Sequence, residues 1–291
     1  MSKLKEVTFF VTNKCNLKCE RCFNVGREIR EMQIENINTL TESLPKFTRL
    51  QISGGEPFLR EDLDSVCASF YYHNNVRYIT IPTNGLLEKN IVSTVLRILL
   101  NCYYAKLHIS VSINEVKLYP IIFRLKLLKQ RYPNLTIGTI TTQTSQNEHD
   151  LFKIYDYIKT LGVDNIGFNM ARITDRPNPE IYRQFTNMLA KTLPNFPFPI
   201  NYIYKAKRNL VFKYVYKHLT DPKWCMPCFA GDKRIVIDTD GTIYPCEMRL
   251  FEKEKTFVPI KNCFCQHECD MGVNILYNPR FIPELVREVF R

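Results

Sequence analysis

Long apolar runs are absent from this sequence. No stretch approaches the roughly 20 apolar residues that a membrane-spanning helix needs. The best candidate, NIVSTVLRILL, is short and contains Arg97. The N-terminal segment MSKLKEVTFFVTNKC has an apolar run too short for a signal peptide, and no small-residue cleavage site follows it. We therefore expect a cytoplasmic protein without a membrane span.

Blocks of like charge are also absent, although the formal net charge is +11. Lysine and arginine are spread along the whole chain. This pattern is typical of a lysine-rich surface, but it also permits attraction to an acidic partner such as nucleic acid, a phosphorylated substrate or an anionic membrane surface. With 45% hydrophobic and 24% charged residues, the composition excludes a disordered chain.

Glycine is scarce, with only 10 residues in the chain, yet Gly54 and Gly55 are adjacent and Gly85 lies in a similar loop. Adjacent glycines after a strand indicate a positive φ angle or a close approach of the backbone to another group. Ordinary turns between strand and helix would explain them too. For the segment GGEP, we favour contact with a ligand.

Strand-like and helix-like runs alternate through most of the chain. Six strand–helix units in a row predict a parallel sheet covered by helices, and six are too few to close an eight-fold barrel. The proline-rich segment LPNFPFPINY interrupts the pattern. We predict an α/β fold with a partial (β/α)6 barrel in residues 1–195. A linker helix and a small cysteine-rich domain with a β-hairpin and helix follow in residues 196–291.

Eleven cysteines in a protein expected to be cytoplasmic indicate metal ligands or redox groups rather than disulfides. Cys67 and Cys102 lie alone in helix-like segments, where we expect them to be small buried hydrophobes. Cys15, Cys19 and Cys22 follow the first strand in the spacing Cys-x3-Cys-x2-Cys. This spacing fits neither a zinc knuckle nor a redox dithiol well. Three thiolates would suit an iron–sulfur cluster that keeps one iron open.

The segments CNLKCERC, GGEP, TNG and SVSIN follow the first four predicted strands in that order. This arrangement resembles the radical S-adenosylmethionine (radical SAM) superfamily, which places a partial (β/α)6 barrel around such loops. The resemblance implies that Cys15, Cys19 and Cys22 hold a [4Fe–4S] cluster. It also implies that S-adenosylmethionine (SAM) meets the following residues: Gly54, Gly55, Glu56, Pro57, Thr83, Asn84, Ser112, Asn114 and Arg172.

Two positions depart from the family pattern. Asn114 stands where relatives usually have aspartate, and Arg21 stands before the third cysteine, where they usually have an aromatic residue or histidine. A guanidinium group can stack on a purine, so we expect Arg21 to flank the adenine, with Phe23 as a further contact.

The resemblance implies a mechanism in which reductive cleavage of SAM produces a 5′-deoxyadenosyl radical that abstracts a substrate hydrogen atom. We expect an external electron donor such as flavodoxin or ferredoxin, and a small-molecule or peptide substrate. The short segment before the first strand favours a small or lipid-like substrate. No residue stands out in the sequence as a catalytic acid or base.

The late pattern CFAG…IDTDGTIYPCE…CFCQHEC resembles the SPASM domain of radical SAM enzymes, or its shorter Twitch form. The resemblance implies an auxiliary [4Fe–4S] cluster that takes an electron from the substrate radical, as in an oxidoreductase. A structural zinc site would suit four thiolates as well. The ligands that we favour are Cys228, Cys246, Cys265 and Cys269, with Cys225 and Cys263 in reserve.

A different class of function also fits the charge and the cysteines: a basic, zinc-binding nucleic-acid protein without catalysis. Such a protein has no need of the GGEP and TNG segments, so the enzyme is the favoured hypothesis.

Overall fold

The computed structural model describes residues 4–20, 22, 24, 26–171, 178–221, 224, 226, 228–251 and 268–291, the side chains of residues 268–270 excepted. Its strands are β1 (Glu6–Thr12), β2 (Arg49–Gly54), β3 (Tyr78–Thr83), β4 (Lys106–Ser112), β5 (Leu135–Gln143), β6 (Asn165–Met170), β7 (Arg234–Ile237) and β8 (Ile243–Tyr244). Its helices are α1 (Ile34–Ser43), α2 (Leu63–Asn74), α3 (Glu88–Asn101), α4 (Pro120–Arg131), α5 (Leu151–Thr160), α6 (Pro179–Ala190), α7 (Ile200–Thr220), α8 (Glu247–Phe251), α9 (Glu268–Tyr277) and α10 (Ile282–Val289).

The strands form one sheet in the order β6-β5-β4-β3-β2-β1-β7-β8. The first seven pair in parallel, and β8 returns antiparallel to β7. Within the described residues β6 and β8 remain as edges, so the barrel is open. The predicted α/β class and partial barrel are therefore confirmed.

Alternation along the strands gives the sheet two different faces. One face is aliphatic and packs under the helices, as Ile52, Ile81 and Ile109 show in the main core. The opposite, inner face carries small and polar groups such as Thr80 and His108. Burial of the aliphatic face drives folding.

A second hydrophobic core surrounds α7. Phe168 and Phe185, from β6 and α6, pack in it with Val215 of α7 and with Ile275 of α9. In the described part of the chain, no helix is both long enough and apolar enough to span a membrane.

The sequence predicts a helix from about Glu28 to Leu44, but α1 begins at Ile34, six residues later. The intervening residues make other contacts: the carbonyl oxygen of Glu28 accepts a hydrogen bond from Asn13, and Arg27 pairs with Asp238 of the hairpin turn. These distant partners compete with helix formation in the segment.

The division into domains 1–195 and 196–291 stays a prediction. The predicted hairpin is present, and its strand β7 pairs with β1 over four residue pairs. The hairpin thus extends the main sheet instead of forming a sheet of its own.

A fully buried arginine joins the hairpin to β1. The guanidinium group of Arg234 lies 3.1 Å from a carboxylate oxygen of Glu6 and 2.9 Å from one of Glu247, and it donates to Thr8 at 2.7 Å. Both carboxylates are nearly inaccessible to solvent. Their burial is tolerated because the arginine satisfies them.

We expect Arg234→Met to lower the free energy of unfolding by about 3–5 kcal/mol, because two buried carboxylates would lose their cation. Urea unfolding of the metal-free protein measures this. Lys233→Met is the matched control, since Lys233 pairs with the partly exposed Asp232, and it should cost less than about 1 kcal/mol. Equal losses of unfolding free energy in the two variants would contradict the proposed contribution of the buried network to stability.

Candidate active site

Three loops meet at the carboxyl ends of β1, β2 and β3. They are the cysteine loop (residues 13–33), the GGEP loop (residues 54–57) and the TNG loop (residues 83–85). The backbone N–H of Gly55 donates to the carbonyl oxygen of Thr12 at 2.8 Å, and that of Glu56 donates to Lys14 at 2.9 Å. The GGEP loop is thereby attached to the start of the cysteine loop.

The two adjacent glycines are explained by this attachment. Gly54 has a φ of +132°, and a Cβ atom there would lie 2.2 Å from the carbonyl oxygen of Thr12. A Cβ atom on Gly55 would lie 2.1 Å from the carbonyl oxygen of Lys14. The close approach is to the protein's own backbone, and ligand contact by the same loop stays a prediction.

The carboxylate of Glu56 joins the GGEP and TNG loops. It accepts hydrogen bonds from the hydroxyl of Thr83 at 2.9 Å, the backbone N–H of Asn84 at 2.7 Å and the backbone N–H of Phe58 at 3.2 Å. Glu56 is only 1% exposed. Burial raises the pKa of Glu56, while these three hydrogen bonds oppose the rise.

Asn84 connects the TNG loop to the cysteine loop. Its side-chain amide donates to the side-chain oxygen of Asn16 at 2.7 Å, and its own oxygen accepts from the N–H of Leu86 at 3.0 Å. The three predicted motifs therefore form one connected set of hydrogen bonds.

The cysteine loop presents its thiols at the surface. Cys15 and Cys19 are exposed and Cys22 is partly buried. Backbone N–H groups of Leu17 and Asn24 donate to the sulfurs of Cys15 and Cys22, each at 3.4 Å. Such N–H···S bonds favour thiolates, and three thiolates suit an iron–sulfur cluster with one open iron.

Partial burial is the main cause that raises the pKa of both Cys15 and Cys19, and the neighbouring Cys22 adds to it. Metal binding must therefore displace protons from these thiols. In the part of the chain that the structure describes, no three histidine, cysteine, aspartate or glutamate side chains converge closely enough to hold a metal ion. Cluster binding at these cysteines stays a prediction.

The other predicted SAM contacts lie around the same edge. Pro57 is buried at the start of a short 3₁₀ helix, and Ser112 ends β4. The side-chain oxygen of Asn114 accepts from the N–H of Thr142 at 2.9 Å, which ties the loop after β4 to β5. Arg172, Arg21 and Phe23 lie outside the described residues.

The late cysteines are described only in part. Cys228 is partly buried and its sulfur accepts from the N–H of Ala230 at 3.4 Å, while Cys246 is buried beside β8. The side chain of Cys269 is not described. Cys225, Cys263 and Cys265 also lie outside the described residues.

The sequence did not indicate a role for Arg60, which binds the backbone at the end of β1 and at the end of the cysteine loop. Its buried guanidinium group donates to the carbonyl oxygens of Val11 at 3.0 Å and Met32 at 2.8 Å, and it pairs with Asp62 at 2.7 Å. It fixes the end of β1 to the far end of the cysteine loop. Only its place just after GGEP hinted at this role.

His108 was also missed, although it lies on the inner face of the sheet. Its Nδ1 lies 2.9 Å from the hydroxyl of Thr136, and its ring covers Gly138, where a Cβ atom would come within 2.7 Å. Burial lowers the pKa of His108 to about 4, which the carboxylate of Asp164 offsets only in part. The imidazole is therefore neutral at pH 7.

Known proteins resemble the chain over most of its length. It is 22% identical over 271 residues to the GTP 3′,8-cyclase of Aquifex aeolicus, which covers 84% of this chain and 82% of the relative. It is 24% identical over 268 residues to an uncharacterised protein of Methanocaldococcus jannaschii, with 84% and 85% covered. The GTP 3′,8-cyclase of Stenotrophomonas maltophilia is 31% identical over 83 residues, 26% of each chain. No family model matches the sequence.

Two solved structures share the fold. The AdoMet-bound structure of anSMEcpe superposes with a TM-score of 0.56 at 16% identity and covers 94% of this chain and 82% of that one. Streptococcus suis SuiB superposes with a TM-score of 0.57 at 16% identity, with 96% and 67% covered.

The position of the motifs on this shared fold agrees with the sequence relatives. Cys-x3-Cys-x2-Cys, GGEP and TNG follow the first three strands of the open sheet, and the sequence relatives extend over most of the chain. Together these similarities support a radical SAM superfamily enzyme. Such an enzyme has a [4Fe–4S] cluster and SAM as cofactors.

In this radical SAM enzyme, we expect Gly55→Ala to lower the free energy of unfolding by about 1–3 kcal/mol, because the new methyl group would collide with the backbone of Lys14. Urea unfolding of the metal-free chain measures the change. Gly272→Ala in α9 is the control. Its Cβ atom would lie 3.7 Å from the nearest atom, Nζ of Lys207, and alanine favours a helix. If Gly55→Ala were as stable as the wild type, the close packing of the two loops would be disproved.

We expect lower pH to destabilise the radical SAM enzyme in part through His108. Its folded pKa of about 4 lies below the ordinary value of about 6.5, so the unfolded chain binds more protons between these pH values. The contribution is present above pH 6.5 and is lost as the pH falls towards 4. When the pH falls from 7 to 5, the free energy of unfolding should decrease by up to about 2 kcal/mol more in the wild type than in His108→Gln. Urea unfolding at both pH values measures this difference. The same pH dependence in both proteins would count against a buried neutral imidazole.

Proposed function

We propose that Cys15, Cys19 and Cys22 hold a [4Fe–4S] cluster and that the GGEP and TNG loops bind SAM beside it. When both are bound, the reduced cluster would supply the electron that cleaves SAM to methionine and a 5′-deoxyadenosyl radical, and this radical would take a hydrogen atom from the substrate. The observation that carries the proposal is the continuous chain of hydrogen bonds through the three loops at one edge of the sheet.

The chain's own residues contribute orientation. The Glu56 carboxylate already accepts three hydrogen bonds, of the roughly four that a carboxylate can accept. Its main task is to hold the TNG loop against the GGEP loop, and one acceptor position remains for a donor of the ligand. Asn84 then keeps the TNG loop beside the cysteine loop, so that cluster and SAM share one fixed frame.

The inner face of the sheet is the proposed place of the substrate. Thr80, His108 and Thr136 lie at neighbouring positions on it, in the amino-terminal halves of β3, β4 and β5, and Asn165 begins β6. These side chains are polar but uncharged at neutral pH, since the imidazole of His108 is neutral. Such a surface suits hydrogen bonding to a small polar molecule or to a peptide backbone.

We further propose that the late cysteines bind an auxiliary [4Fe–4S] cluster that accepts an electron from the substrate radical, which makes the net reaction an oxidation. Among the described residues, Cys228 and Cys246 support this proposal. The N–H donor to the sulfur of Cys228 belongs to Ala230, which bridges to Arg234 at the start of β7, and Cys246 follows the paired strand β8. An external donor such as flavodoxin or ferredoxin would reduce the first cluster.

One observation favours a purine nucleotide among the small-molecule substrates. The similarity to the GTP 3′,8-cyclase of Aquifex aeolicus extends over 84% of the chain. GTP is therefore the substrate to test first, and a peptide is the alternative.

We expect anaerobically reconstituted protein to contain about eight irons per chain, and to release 5′-deoxyadenosine when SAM and dithionite are added. Cys22→Ala should lower the iron to about four and abolish the release, because one thiolate of the first cluster is lost. Iron analysis, the visible spectrum and chromatography of the products measure these effects. Adding GTP to the assay and following its loss tests the nucleotide substrate.

Two further variants serve as controls. Cys67→Ala removes a buried thiol of α2 that packs in the main hydrophobic core, and it should retain both iron and product. Cys246→Ala should lose about four irons but still release 5′-deoxyadenosine. Colourless wild-type protein that contains zinc would refute the proposed function and favour the nucleic-acid-binding alternative.

A further inference from the structure

The turn of the β7–β8 hairpin (residues 238–241) lies against the returning half of the cysteine loop (residues 24–32). One guanidinium nitrogen of Arg27 lies 2.6 Å from each carboxylate oxygen of Asp238. The Arg27 side chain is 21% exposed and that of Asp238 is 13% exposed. An ion pair so shielded from solvent is worth more than an ordinary surface pair.

The Arg27–Asp238 pair packs on buried residues of β1 and the hairpin. The Arg27 guanidinium group lies 5.7 Å from the centre of the Phe10 ring. Phe10 is fully buried and packs with Val236 and Tyr244 of the hairpin strands. Asp238 is further held by its own turn, since its carboxylate accepts from the N–H of Thr239 at 2.7 Å. The carboxylate of Asp238 is therefore held by a contact other than that with Arg27.

Two other contacts follow the same boundary. The side-chain amide of Asn13 donates to the hydroxyl of Thr239 at 3.3 Å, in a buried position. At Gly241, which has a φ of +84°, a Cβ atom would lie 2.2 Å from the methyl group of Met32. The hairpin turn thus touches both ends of the cysteine loop, with the third cysteine between them.

We propose that the hairpin turn positions the cysteine loop for its cluster and SAM, and that Arg27–Asp238 is the positioning contact. The cysteines supply the ligands, while the turn determines where the returning half of the loop lies. Hence Asp238 acts through Arg27 and does not touch the cofactor. The effect on SAM rests on the proposed function, whereas the hold on the loop does not.

Asp238→Asn tests this, because it removes the charge but keeps an acceptor for the N–H of Thr239. In metal-free protein, hydrogen exchange of residues 24–32 should become faster than in the wild type. In protein loaded with its clusters, iron content should stay unchanged while SAM binds about tenfold more weakly, a typical coupling for groups in one network. Isothermal titration and the change in the electron paramagnetic resonance spectrum on adding SAM measure that affinity.

Asp240→Asn is the matched control in the same turn, since Asp240 is 3.7 Å from Arg30 in an exposed pair. It should leave exchange and SAM affinity as in the wild type. Arg27→Lys keeps the cation and should retain most of the protection from exchange, which a mere packing role would not predict.

Unchanged exchange in Asp238→Asn, or equal changes in Asp238→Asn and Asp240→Asn, would overturn the positioning role. So would an unchanged SAM affinity in loaded Asp238→Asn. If the wild type bound no iron–sulfur cluster, the proposed function would fail, and hydrogen exchange would still decide whether the turn holds the loop.

Discussion

The buried carboxylate of Glu56 is the contact on which the candidate site depends. A carboxylate with 1% exposure is costly unless donors satisfy it, and here the donors come from the loop after the next strand. The free-energy cost of removing the Glu56 carboxylate from water is therefore compensated only when the GGEP and TNG loops come together. Parallel pairing of β1, β2 and β3 brings the loop ends to one edge, and the carboxylate then fixes their spacing.

The same principle operates at the other end of β1. Arg234 lies between Glu6 and Glu247, so the pairing of β7 with β1 is required for the charges to be satisfied. The hairpin cannot be a loosely attached appendage, because its arginine completes a network that begins on the first strand. A region that the sequence marks as a separate cysteine-rich module is in this way part of the frame that carries the first cysteine loop.

The architecture followed from the sequence where the signal was periodic. The strand-like runs of the sequence correspond to β2, β3 and β4. The helix that the sequence predicts from about Glu88 to Asn101 is present as α3 with the same bounds. The start of α1 was wrong by six residues, because the sequence between Glu28 and Gln33 can form a helix but finds its partners elsewhere. Local helix propensity contains no information about the salt bridge from Arg27 to Asp238, which lies in a turn some 200 residues away.

The candidate site divides in the same way. The cysteine spacing, the paired glycines of GGEP and the order of the motifs were determined by the sequence alone, since each depends on neighbours within a few residues. Tertiary structure decided what those residues contact. Gly54 approaches the backbone at the end of β1, and Gly55 approaches the backbone of the cysteine loop. Arg60 and Asp238 became supports of the same loop. Their partners are distant in the chain, and only the folded sheet brings such charges and carbonyl groups within hydrogen-bonding distance.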